Sequence, residues 1–357
     1  NLVTGFADAD MDRAPIVAIA GQGATTRMHK ESHQVLDLVN LFEPISKYST
    51  QIRAPEIIPE VVRKAFKDAQ IEKPGGSFID FPENIAGAQM PVDKQPLKVQ
   101  SPSPPVPPAE KIKQAAEIIS QAKNPIIMAG NGVIRNRASK QLVQFAEQLN
   151  IAVATTFMAK GVIPFSHKLS LGTVGLQAKD YVGCGFEKSD VIICIGFDMV
   201  EFHPHIWHKY KDKKIIHIDM SAAEVDEHYI LEAGVIGDIK TGLDAIAKQA
   251  KPYIGGFNDE LRETIVTELN EHANDTGFPV KPQKIICDLR SVLNSEDVVV
   301  SDVGAHKMWM ARMYQAEEPN TCIISNGFAS MGIGVPGAIA AKLVNPDATA
   351  LTVTGDA

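Results

Sequence analysis

Pro125-Ile126-Ile127-Met128-Ala129-Gly130-Asn131-Gly132 is the stretch whose reading decides the fold. An uncharged apolar run that stops at a glycine turn reads as a buried strand. Ala138 to Leu149 then shows helical spacing, and Ile151 to Thr155 returns to an apolar run. Strand, glycine loop, helix and strand in that order make the repeating unit of a doubly wound parallel sheet.

The same rhythm continues outward. Upstream, Ala109 to Ala122 predicts a helix, with Ile112, Ala115, Ile118 and Ile119 at helical spacing. Downstream, Val191 to Ile195 and Lys214 to Asp219 predict further strands, and the pattern closes near Ala250. Before all of this lies Gln100-Ser101-Pro102-Ser103-Pro104-Pro105-Val106-Pro107-Pro108, whose proline density marks an extended spacer between domains. Upstream of the spacer, Pro15 to Ala20 and Gly76 to Phe81 read as strands and Ile58 to Ala69 as a helix. Beyond Ala250, a charged helical segment (Asn258 to Ala273) leads to a helix at Pro282 to Leu293 and a strand at Asp297 to Ser301. An alanine-rich helix from Gly332 to Leu343 and a strand from Ala348 to Thr354 follow. The expectation is an α/β chain of three doubly wound, mostly parallel-sheet domains. These take residues 1–90, 109–250 and 278–357, with a Pro-rich linker at 91–108 and a connecting segment at 251–277. The start at Asn1, without an initiator methionine, and the stop at Thr354-Gly355-Asp356-Ala357 read as cuts that leave the first and third domains incomplete.

Composition narrows the classes. The 357 residues are 45% hydrophobic and 22% charged, as in a soluble globular protein. A formal net charge of -8 argues against a general nucleic-acid surface, which should be basic. No apolar run reaches the roughly 18 residues of a membrane span. Cys184, Cys194, Cys287 and Cys322 are far apart, without a CxxC pair. They read as buried free thiols in a reducing compartment, with a cytoplasmic location.

Several residues suggest chemistry. Asp356 follows a strand and a glycine at the ligand-binding edge of a parallel sheet; it fits either a Mg²⁺ ligand or a helix N-cap. Gly304-Ala305-His306 follows another strand, and fits either a phosphate loop at a helix start or a tight turn. Ser325-Asn326-Gly327 is a similar turn. Met331, among small residues, fits core packing or a prop against a flat ligand. Gly21-Gln22-Gly23 and Gly130-Asn131-Gly132 fall short of the full dinucleotide fingerprint and read as structural turns. His203, His205 and His208 read as rings on an exposed loop rather than a zinc site, and His29 and His33 as a helix surface rather than a metal pair.

The order of these motifs resembles the thiamine-diphosphate enzymes, and within them the catalytic subunit of acetolactate synthase, along essentially the whole chain. The resemblance implies a pyrimidine-binding domain, a central domain and a diphosphate-binding domain in the three sections above. His33-Gln34 matches the family's active-site glutamine region, making Gln34 the substrate-side candidate. Pro44-Ile45-Ser46-Lys47-Tyr48 matches a Pro-x-x-Lys-aromatic segment in which Lys47 has a structural part. Asp302-Val303-Gly304-Ala305-His306 matches the diphosphate-side loop, with Ala305 where the anabolic form often has glutamine. Ile324-Ser325-Asn326-Gly327 resembles the catabolic, flavin-free form. Met331 matches the apolar residue that holds the cofactor bent. Gly355-Asp356 matches the opening of the metal motif, and Ala357 replaces its second glycine. The family's catalytic glutamate is expected upstream of Asn1, and the asparagine that partners Asp356 beyond Ala357.

The activity implied is decarboxylative condensation of two pyruvate molecules to 2-acetolactate and CO₂, with thiamine diphosphate and Mg²⁺, in a homodimer or homotetramer. No nucleic-acid or membrane partner is implied, and a regulatory subunit is left open. Gly196 to Pro204 lacks both arginines of the flavin-binding relatives, whereas Thr155-Thr156-Phe157-Met158-Ala159-Lys160-Gly161 resembles them. The balance disfavours FAD. The alternatives are another thiamine-diphosphate-dependent 2-oxoacid decarboxylase or carboligase, and a non-catalytic nucleotide-binding or oligomerisation protein.

Overall fold

The structure is a computed structural model that describes residues 1–98, 100, 103–176 and 180–355. Two candidate residues, Asp356 and Ala357, therefore lie outside the described residues. The chain forms two compact units, Asn1–Ser103 and Pro104–Ala357.

The first unit carries strands β1 (Ile16–Gln22), β2 (Tyr48–Gln51) and β3 (Gly76–Pro82). They form a parallel sheet in the order β1-β3-β2. β3 lies in the middle, and Phe78 and Ile79 are fully buried on its two faces. Phe78 stacks on Phe42 with ring centroids 4.0 Å apart, and Phe6 meets both rings edge-on. Ile79 packs with Val61 and Ala65 of the helix Ile58–Gln70. Lys47 Nζ donates to the carbonyls of Ile71 and Lys73, 2.5 and 2.7 Å away. It thereby satisfies acceptors just past that helix.

The second unit holds a six-stranded parallel sheet made of β4 (Pro125–Ala129), β5 (Val153–Thr155), β6 (Ser170–Thr173), β7 (Val191–Ile195), β8 (Lys214–Asp219) and β9 (Leu231–Ile236). The strand order is β6-β5-β4-β7-β8-β9. It reverses between β4 and β7, which creates a switch point at the carboxyl ends of those two strands. Alternate residues of β4 and β7 feed opposite cores. Ile127, Ile193 and Ile195 meet the helices Ala109–Gln121, Ser139–Leu149 and Ile239–Ala247. Ile126, Met128, Ile192 and Cys194 face Phe186, Trp207 and Tyr229. The same unit contains a second parallel sheet, of β10 (Val298–Ser301), β11 (Cys322–Ile324) and β12 (Ala350–Val353), in the order β11-β10-β12. Met310, Ala311 and Tyr314 bury against Val299.

Four strands were not anticipated: β2, β6, β9 and β11. Each lies at a sheet edge. An edge strand needs only one well-buried face, so its sequence carries a weaker apolar run. Three smaller expectations are corrected. His29 and His33 sit in turns, not on a helix. Cys184 is exposed, while Cys194 and Cys322 are buried as read. His208 is buried and not part of an exposed loop. Its Nδ1 lies 2.6 Å from the His228 carbonyl, and its Nε2 accepts from the Lys213 N–H at 3.1 Å, so it is a bridge inside the fold. Among the described residues no helix is long and apolar enough to cross a membrane.

Candidate functional site

The carboxyl edge of the second three-stranded sheet is built around Asp302, which follows β10 and is 6% exposed. One carboxylate oxygen accepts from the N–H of Val303 at 2.6 Å and of Gly332 at 2.8 Å, and the other accepts from Gly334 at 3.0 Å. Burial alone would raise its pKa, but the three backbone donors and nearby His306 outweigh burial and hold the carboxyl below its ordinary range. Asp302 thus caps the helix Gly334–Val344 and clamps the turn before it. A Cβ at residue 334 would lie 2.4 Å from Thr352 Oγ1 and 3.0 Å from Asp302 itself, so only glycine fits under the clamp. Gly332 has φ +88°, which lets the chain reverse there. The outcome is that Met331 stands out of the turn, 70% exposed. The clamp fixes the turn that presents this large apolar side chain.

The helix Ala305–Met313 begins beside this clamp, with Ala305 exposed at its first position. His306 Nε2 is buried and has no hydrogen-bond partner among the described residues. Glycines crowd around the ring: a Cβ at Gly304 would come within 2.9 Å of it, and one at Gly355 within 3.4 Å. A buried polar nitrogen without a partner costs on the order of 1–3 kcal/mol, which an acceptor atom of a ligand would offset. A helix N-terminus beside it favours an anion. These residues fit the diphosphate end of a cofactor. Ser325, 3% exposed, and Asn326 follow β11, and Gly327 completes that turn. Asn326 Nδ2 donates to the Glu201 carbonyl at 2.9 Å, which fixes its side chain.

In the first unit, Gln34 is exposed and has φ +56°. The loop that carries it is pinned by Gln22 Nε2, which donates to the Leu36 carbonyl at 2.7 Å. At the carboxyl edge of the same sheet, Asp80 is 1% exposed and accepts from Gln51 Nε2 at 2.7 Å. Burial pushes its carboxyl up, partly offset by hydrogen bonds from Gln51 and Gln22. Gly304, Ala305, His306, Ser325, Asn326, Gly327, Met331 and Gly355 all belong to the second unit, and Gln34 belongs to the first.

At the switch point of the six-stranded sheet, Gly130 and Gly132 pack directly on the backbone of Gly196 and Phe197. A Cβ on either glycine would approach within 2.5–2.7 Å of those atoms. Glu201 closes the gap. Its carboxylate accepts from the Asn131 N–H at 3.0 Å and from the Thr156 hydroxyl. Burial pushes its pKa up to about 7, against the pull of Thr156, Asn131 and Arg135. Neither Glu201 nor Asp302 stands out as an individual residue in the sequence. A carboxylate five places past a glycine, or just past a strand, has no distinguishing pattern until its partners are known. Among the described residues, no group of three or more His, Cys, Asp or Glu side chains is placed to hold a metal ion.

Comparison with known proteins gives the family. Residues 112–246 match the central domain of thiamine pyrophosphate enzymes, and residues 302–357 match their C-terminal TPP binding domain. The chain belongs to the thiamine pyrophosphate enzymes. Within them it is similar along its whole length to acetolactate synthase large subunits. It is 35% identical to a probable acetolactate synthase large subunit of Methanococcus aeolicus and 34% identical to one of Methanocaldococcus jannaschii. It is 30% identical to an acetolactate synthase of Bacillus subtilis. All of this chain and 63% of each relative are covered, so the chain spans somewhat less than two thirds of their length.

Proposed function

We propose that the protein is the catalytic part of an acetolactate synthase, condensing two pyruvate molecules to 2-acetolactate with loss of CO₂. Its cofactors are thiamine diphosphate and Mg²⁺, without flavin, and it works as a cytoplasmic homodimer or homotetramer. The single observation that carries this reading is the edge built by Asp302 and His306. The clamped turn that carries Met331 and the helix start that carries a buried, unpartnered imidazole nitrogen meet at the Asp302 carboxylate. In domain terms, residues 1–90 bind the pyrimidine side, 109–250 form the central domain and 278–357 bind the diphosphate. The Pro-rich stretch 91–108 and the segment 251–277 join them. Residues 302–357, matched by the C-terminal binding domain, support that assignment.

When bound, thiamine diphosphate supplies the electron sink that makes decarboxylation of a 2-oxoacid feasible. The protein's own contribution is positioning. His306 and the N–H groups at the start of its helix would hold the diphosphate. Gly304 and Gly355 leave room for that approach. Asp302 fixes the turn so that Met331 presents one apolar surface in one place. The Ser325-Asn326-Gly327 turn, tied through Asn326 to Glu201, forms a second wall. Asp356 would hold Mg²⁺, and Gln34 is the substrate-side candidate contributed by the first unit. A prop that must sit within a fraction of an ångström gains from a buried, three-donor clamp, because misplacement by about 1 Å costs on the order of 100-fold in rate.

The test is pyruvate-dependent acetolactate formation by the full-length gene product with thiamine diphosphate and Mg²⁺, with and without FAD. Equal activity in both mixtures supports the reading. Activity only with FAD keeps the reaction and overturns the flavin-free part. No acetolactate from a folded protein gives the site to a different 2-oxoacid.

A further inference from the structure

A doubly wound sheet receives dinucleotides where its strand order reverses, and the phosphates take N–H groups of the first glycine loop. Here that place is between β4 and β7. A full accounting of the loop's donors shows what fills it. Gly130 N–H donates to the Ile195 carbonyl at 2.9 Å, Gly132 to Gly196 at 2.8 Å, and Val133 to Gly130 at 3.1 Å. Asn131 N–H alone of these four goes to a side chain, the Glu201 carboxylate at 3.0 Å. The Thr156 hydroxyl, at the end of β5, donates to the same carboxylate. Glu201 is 6% exposed, and a Cβ at Gly130 would sit 2.9 Å from its oxygen.

We infer that Glu201 is the internal ligand of this crevice: its carboxylate takes the loop N–H and the threonine hydroxyl that a phosphate would otherwise take, and it locks the central domain shut. The Thr155-Thr156 segment, which resembles flavin-binding relatives, is thereby put to a different use, as the second donor to a protein carboxylate. The lock also reaches outward. The Glu201 carbonyl accepts from Asn326 Nδ2 at 2.9 Å, so the filled crevice steadies the turn after β11. The bearing of that turn on cofactor binding rests on the reading under Proposed function; the lock itself does not.

The experiment uses the full-length protein in mildly alkaline buffer. Glu201→Ala deletes roughly an acetate's worth of atoms and leaves Asn131 N–H and the Thr156 hydroxyl facing a cavity. Its thermal midpoint is expected to fall, and to recover in part with added sodium acetate but not with sodium chloride at equal ionic strength. Wild type and Glu201→Leu are expected to ignore acetate. If Glu201→Ala does not fold alone, its refolding yield in acetate against chloride is the readout. Wild type is also expected to take up neither FAD nor ADP in isothermal titration. Micromolar binding of either nucleotide to wild type overturns the inference, as does acetate stabilising all three proteins alike. Because none of these readouts involves pyruvate, loss of the acetolactate reading leaves the result of this test intact.

Discussion

Two places in the second unit share one local grammar, a parallel strand that ends in a small-residue loop and a helix start, yet they end in opposite states. At the switch point between β4 and β7, each N–H from Gly130 to Val133 has an acceptor inside the protein. At the carboxyl edge of β10, the backbone is clamped just as firmly, by Asp302, but the clamp leaves Met331 70% exposed and His306 Nε2 without a partner among the described residues. In each case a carboxylate decides the outcome. Glu201 reaches into its loop and takes its N–H, whereas Asp302 sits beneath its loop and fixes the turn that presents Met331. A strand-glycine-helix motif therefore signals a place where a ligand would fit. Only the hydrogen-bond accounting says whether the protein has already supplied the ligand.

The largest expected effect breaks the open side. Asp302→Ala leaves the N–H groups of Gly332 and Gly334 without their acceptor. Each such loss costs on the order of 1–3 kcal/mol, so stability should drop by about 3 kcal/mol in denaturant titration. Acetolactate formation by the folded fraction should fall by about 100-fold, because Met331 loses its fixed position. Unchanged turnover in a folded variant would separate the clamp from the site.

The closed side should show itself in the pH dependence of stability. Glu201 has a folded pKa of about 7, above the ordinary value of 4.5. Between those values the folded state keeps a proton that the unfolded state has released. Its stability contribution is therefore full below about pH 4.5 and is lost as pH rises to about 7, a change of about 3 kcal/mol. Glu201→Gln keeps the shape and does not titrate. The difference between wild type and Glu201→Gln should fall across that window and be flat above it. Parallel profiles would mean that the carboxyl is better solvated than its burial indicates. Next in size, Gly130→Ala places a Cβ 2.5 Å from the Gly196 carbonyl and 2.7 Å from Phe197 Cα. Both are backbone atoms that cannot swing away. A loss of about 2 kcal/mol is expected in thermal or chemical unfolding. A loss near zero would show that the two loops part easily and that the crevice is less tightly shut.

The comparison also explains what the sequence could convey. β4 and β7 were legible because a central strand needs apolar residues on both faces, and Pro125 to Ala129 and Val191 to Ile195 supply them. β2, with Tyr48-Ser49-Thr50-Gln51, was not legible, since all four residues are only half-buried. β6 and β9 include Gly172 and Gly234, and β11 has only three residues. At the open site, the turn residues from Gly304 to Gly355 could be named because their glycines and resemblance made them visible. Asp302 stood in the quoted stretch, but its three partners lie up to 32 positions away. Glu201 meets Asn131 across 70 positions. His208 failed for the same reason: three histidines in six residues suggest a wet loop, and nothing local says that His228 and Lys213 will enclose the third. Sequence periodicity reports burial along one element, whereas these side chains are defined by what arrives from others.

The smallest effect concerns the joint between the two places. Lys160 follows β5 and is buried, yet its Nζ donates to Thr173 Oγ1 at 3.1 Å and to the Ala311 carbonyl, near the end of the helix that carries His306, at 2.8 Å. Burial lowers its pKa, with a smaller opposing influence from Cys322. A lysine whose pKa is lowered in the folded state contributes stability that is present above its ordinary pKa and lost as pH falls toward the folded value. At neutral pH the two hydrogen bonds and the cost of burying the ammonium thus oppose one another. Lys160→Met keeps the length of the stem and removes both terms, so stability should stay within about 1 kcal/mol of wild type. Its deficit should widen as the pH is raised toward the ordinary lysine range. Lys160→Ala should cost more, because it empties the space that the stem fills. If Met proves as damaging as Ala at neutral pH, then the ammonium, not the stem, holds the joint. The open edge would in that case depend on a charge seated at the end of its helix, and not on packing alone.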